Sequence, residues 1–153
     1  MKPINLHPLL VENLYEEALS LSEEARDVFD ESVLLASAGE PGRAARAALR
    51  QEALRTTTRM MHAIAWLLNQ RAFLAGELTE FQLRQHGTLP TSPPAGDDDD
   101  LALLPAAVAE IAERTIAFYR RLERVDPASR SMIRVEPVAF DHLRERLGQA
   151  VAR

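Results

Sequence analysis

The sequence predicts an all-α protein, an antiparallel three-helix bundle with a long central helix and short extra helices. Two observations carry this. Apolar residues recur at steps of three or four over long stretches, the helical period. Val/Ile-rich alternation and hairpin signals are missing throughout.

The first helix is expected over about His7 to Ala38, on the stripe Leu10, Leu14, Ala18, Leu21, Ala25, Val28, Ser32 and Leu35. "GEPG", residues 39–42, stops it, because Gly and Pro break helices. The second helix runs from about Arg43 to Ala75, on Leu49, Ala53, Thr56, Met60, Ile64, Leu67, Arg71 and Leu74, with Gly76 as its C-terminal cap. Thr79 and Gln82 have capping-box spacing and open a short helix ending near Gly87. "HGTLPTSPPAGDDDD" follows; residues 88–99 read as a flexible loop with almost nothing apolar to bury. The next helix is expected over about Leu101 to Val125, on Leu104, Val108, Ile111, Thr115, Phe118, Leu122 and Val125. "DPASRS" breaks it. Residues 1–126 thus form the bundle domain. Residues 127–153 form a C-terminal extension with an amphipathic helix over 137–151.

The composition narrows function by exclusion. The chain has 153 residues and no cysteine, so disulfides, thiolate nucleophiles and Cys-based metal sites are out. The N-terminal stretch has no secretory pattern, and the longest apolar run, 63–68, is too short for a bilayer. The expected location is cytoplasmic. Residues 1–40 carry nine acids against Lys2 and Arg26, while residues 41–76 carry six Arg against Glu52. Unlike blocks favour packing the first two helices together.

No catalytic, cofactor or metal site is expected. His7, His62, His86 and His142 are scattered without metal-ligand spacing. Asp97 to Asp100 lack the alternate ligands and distal Glu of a calcium loop, and they suit the start of the following helix through its dipole. Arg43, Arg46 and Arg50 share one side of the second helix, but Arg55 and Arg59 fall elsewhere and no aromatics interleave. With a net charge of −5, nucleic acid is a poor fit.

The stretch "RTTTRMMHAIAWLLNQR", residues 55–71, leaves the second helix almost no wet face. On a helical wheel Met60, Met61, Ile64, Leu67, Leu68 and Leu74 fill one arc, suited to the other long helices. Trp66 and Phe73 lie on another side, in a row with Arg59 and beside His62. That second seam needs a cover, either a second copy of the protein or another part of the same chain. Arg59, His62, Trp66 and Phe73 are therefore the candidate dimer or partner interface. Arg71, on the main stripe, either snorkels near the bundle end or pairs with an acid of the first helix, or else it contacts a partner or an anion.

The segment "EALRTTTRMMHAIAWLLNQRAFLAGELT", residues 52–79, resembles the regulator-of-CtrA-degradation family of alphaproteobacteria. A similar run there has an LTTRLM-like start, an SWLLLQRA-like centre and an EGE-L/M-T end. The matching residues here are Leu54, Thr57, Arg59, Met61, Trp66, Leu67, Leu68, Gln70, Arg71, Ala72, Gly76, Glu77, Leu78 and Thr79. The resemblance implies a three-helix-bundle homodimer acting as a non-enzymatic proteolysis adaptor. Such an adaptor helps the ClpXP protease receive cell-cycle substrates, together with a response-regulator adaptor and a cyclic-di-GMP-binding partner. It assigns no individual partner-binding residue. The alternative is a dimeric DNA-associated or other regulatory interaction module.

Overall fold

A computed structural model describes residues 6–39 and 42–126. The C-terminal extension 127–153 and the helix expected within it lie outside the described residues. The described residues are all-α, with no strand. Helix α1 spans Pro8–Ala38 and α2 spans Arg43–Leu74. Short helices α3, Glu80–His86, and α4, Asp98–Ala102, precede α5, Ala106–Val125. No helix among them is long and apolar enough to cross a membrane.

Local chemistry sets the ends. His7 caps α1, its Nδ1 accepting from the Leu9 amide at 3.2 Å, and Pro8 needs no amide partner in the first turn. Gly76 takes φ +78°, the left-handed region that favours glycine, as the chain leaves α2. The Glu77 amide then donates back to the Ala72 carbonyl at 2.9 Å, as in a Schellman turn. Thr79 and Gln82 form the expected capping box.

The expected helix from Leu101 splits in two. Asp97 caps α4 by accepting from the Asp100 amide at 2.8 Å, and Pro105 then restarts the chain as α5. The acidic run thus opens a short helix of its own, where its charge meets the positive end of the helix dipole.

The three long helices each pack on the other two. Ion pairs set the direction of α5. Glu24 meets Arg114, and Glu17 meets Arg121 at 2.6 Å, so α5 runs antiparallel to α1. It therefore runs parallel to α2. The 88–97 segment makes this possible by returning along the bundle as a strap. Leu89 is buried, the Tyr119 hydroxyl donates to the Pro90 carbonyl, and Ser92 lies beside Arg59. At Gly96 an added Cβ would stand 2.9 Å from Arg55 Nη1. The segment expected as a loop with almost nothing apolar to bury does seat a leucine. One leucine and two polar contacts lay the segment across the α2–α5 groove.

The core joins Val11, Leu14, Leu21 and Phe29 of α1 to Met60, Trp66 and Leu67 of α2 and to Val108, Ile111, Phe118 and Leu122 of α5. Trp66 is 2% exposed, whereas Met61 is 65% and Leu68 44% exposed. The core side of α2 is thus turned by roughly one residue's rotation, ~100°, from the arc expected on the wheel. Covering the larger indole removes more apolar surface from water than covering either aliphatic chain.

Candidate interaction surface

Two of the four residues expected to form a dimer seam, Arg59 and Trp66, lie inside the chain. Arg59 is fully buried, and its Nη1 donates to Thr115 Oγ1 of α5 at 2.8 Å. Trp66 is core, and His62 and Phe73 are half-buried. The cover comes from α5 and the strap, so Arg59 and Trp66 are not available to a second copy. Burial holds the Arg59 pKa below the ordinary arginine value, partly offset by Glu52. Arg71 takes the intrachain option. Its Nε donates to Glu12 Oε1 at 2.7 Å, and its guanidinium stands 4.4 Å from the centre of the Tyr15 ring. Those contacts raise its pKa, the Glu12 hydrogen bond foremost.

What α2 offers to solvent is a different stripe. Leu54, Met61 and Leu68, seven residues apart, are 68%, 65% and 44% exposed. Thr57, Thr58, Ala65, Ala72 and Ala75 share that outward side. The four charged residues between 51 and 75 all turn elsewhere. Glu52 and Arg59 are buried, Arg55 faces Glu52 and Arg71 pairs with Glu12. The stripe from Leu54 to Leu68 is thus ~21 Å of helix with no charge, where a solvated helix normally carries several.

A wheel does not find this stripe, because nearly every position from Met60 to Leu68 is apolar and periodicity then selects no side. The signal the sequence does hold is the converse one, that every charge between 51 and 75 falls off a single side.

Two more surface features frame the bundle. Between α1 and α5 the Glu24–Arg114 and Glu17–Arg121 pairs line a shallow channel over Leu21 and Phe118. Arg114 holds the Glu24 carboxyl below the ordinary range through their hydrogen bond. At the far end α1 and α2 outrun α5, leaving Val33, Leu34 and Leu35 exposed beside a groove of about 240 Å³ edged by Leu103, Pro105 and Arg46.

Among the described residues no three His, Asp or Glu side chains gather as metal ligands. The four aspartates 97–100 are used in capping and opening α4.

Comparison with known proteins gives a family and no named relative. No curated protein matches the sequence, and no solved structure matches it. The family model described as "Protein of unknown function (DUF1465)" matches residues 4–151, nearly the whole chain, and the protein therefore belongs to that family.

Proposed function

We propose that this protein is a non-enzymatic, homodimeric interaction module that acts as a proteolysis adaptor. The observation that carries the reading is the outward side of α2 between residues 51 and 75, uncharged and with Leu54, Met61 and Leu68 exposed along it. The seven-residue spacing suits knobs-into-holes packing of two helices, and Ala65 and Ala72 allow close approach. A second copy suits this stripe because a face without charge meets itself without like-charge repulsion, although each chain carries a net −5. Dimerisation there leaves the acidic outer side of α1 and the Val33–Leu35 tip for other partners. From the resemblance of residues 52–79, those partners are the ClpXP protease with a response-regulator adaptor and its cell-cycle substrates. An adaptor works by raising effective concentration, which needs surfaces and no chemistry.

Two measurements test this in sequence. Light scattering should show a dimer at tens of micromolar, on the order of ordinary interface affinities. Met61→Asp should give a monomer with unchanged helical content. Adding the wild-type protein to ClpXP, the response-regulator adaptor and cargo should speed degradation. A dimer without any acceleration would retain the interaction module and end the adaptor reading. The alternative, a DNA-associated dimer, draws on the exposed Arg43, Arg46 and Arg50. DNA binding that weakens steeply with salt would favour it.

A further inference from the structure

Beneath the strap, α2 carries a row of buried polar groups that lacks hydrogen-bond partners. Arg59 has no exposed surface and makes no ion pair among the described residues. Its Nη1 is used on Thr115, its Nε reaches Ser92 Oγ only at 3.4 Å, and its Nη2 has no partner. Trp66 Nε1, two turns along the same side, is also buried without a partner, and so is His62 Nδ1 between them.

The acceptors nearby do not reach Arg59 Nη2. Glu52 Oε1 accepts from the Thr56 hydroxyl at 3.2 Å, and Oε2 faces Arg55 at 3.7 Å. The Pro90 carbonyl accepts from Tyr119. Of the two guanidiniums beside this buried carboxylate, Arg55 stands within ion-pair distance of it and Arg59 does not. A buried charge without a counter-charge is costly, and a water molecule would supply a hydrogen bond but no charge. The missing component is an acceptor that is also an anion.

We propose that this seam is an oxyanion site, in which a phosphate or carboxylate group enters under the strap and accepts from Arg59 Nη2. A guanidinium presents a planar fork of donors suited to either group. The strap provides the way in, because few contacts hold it. Near Arg59 they are the seated Leu89, the Tyr119–Pro90 hydrogen bond and the long Ser92 contact. The site is independent of the adaptor reading and involves none of the α2 residues assigned to the dimer.

Trp66 is the only tryptophan of the chain, so its emission reports on the site. The test titrates inorganic phosphate, acetate and chloride into the full-length protein at constant ionic strength, following Trp66 emission and melting temperature. The expected result is a saturable change with half-saturation on the order of 1 mM or below, and none with chloride. Tighter phosphate than acetate assigns a phosphate group, and the reverse assigns a carboxylate. Arg59→Met should abolish the response. Arg59→Lys keeps the charge without the fork and should weaken it about tenfold. It carries the comparison if Arg59→Met does not fold. Absence of a saturable response in the wild type, or equal responses in the wild type and the Arg59 variants, would overturn the site.

Discussion

The two sides of α2 invert the usual arrangement of a helix in water. The side that faces α5 and the strap buries Glu52, Thr56 and Arg59 beside Trp66. The side that faces solvent carries Leu54, Met61 and Leu68 and, between residues 51 and 75, no charge. Some of the buried polar groups find partners, Thr115 for Arg59 Nη1 and Thr56 for Glu52, while Arg59 Nη2 does not. Apolar residues stay outside where burial must come from another molecule. The contrast teaches that on this helix hydrophobicity does not distinguish core from surface, and hydrogen bonding does.

Substitutions on the two sides should separate folding from association. Trp66→Ala gives the largest effect, a loss of about 3–5 kcal/mol of stability from the emptied core position, read by urea melts. Met61→Ala, on the other side, should change monomer stability by less than about 0.5 kcal/mol. Comparable losses at both sites would erase the contrast.

The polar half of the buried side is probed next. Thr115→Val keeps the shape but removes the acceptor of Arg59 Nη1, and a cost of about 1–3 kcal/mol is expected for the unsatisfied donor. Thermal melts of this variant beside Thr57→Val, on the exposed side, show whether the buried hydrogen bond matters.

Tyr119 adds a pH test of burial on this side. Burial pushes its hydroxyl up to about 12 from 10.0, with Glu123 adding to the shift. The folded state thus favours the protonated phenol. That preference is fully present below about pH 10 and is lost as the pH rises through about 12. Tyr119→Phe should cost about 1 kcal/mol at neutral pH, since the Pro90 carbonyl loses its donor. The same variant should lose less stability than the wild type between about pH 10 and 12 in urea melts. Parallel pH profiles would mean that the hydroxyl is not buried in the folded state.

The smallest effect is expected where the α1–α5 pairs sit in water. Glu17→Gln removes the partner of Arg121 and should change stability by less than about 0.5 kcal/mol, with the effect shrinking further in high salt.

Much of the framework is legible in the sequence. The start and end of α1, the span of α2, the turn at Gly76 and the capping box at Thr79 all rest on chemistry within a few residues. For Arg71 the sequence leaves several roles open, and the opposite charge of the first two helices points toward the pair with Glu12 that forms. The strap is not legible, because its hold depends on Tyr119 and Arg59, which are 29 and 33 residues away from Pro90 and Ser92. The split between α4 and α5 also escapes the periodicity, although Pro105 stands near the start of the expected helix and cannot continue one without a break.

By itself the sequence determined the all-α class, the lengths of α1 and α2 and where their ends lie, since periodicity and capping act over a turn or two. Only the tertiary structure decided which way round α2 sits. Its apolar residues surround the helix between Met60 and Leu68, so the local pattern is nearly degenerate there. The choice passes to the neighbours, with α5 offering Thr115 to Arg59 and the strap closing over that side. That choice placed Trp66 in the core and left Leu54, Met61 and Leu68 facing solvent.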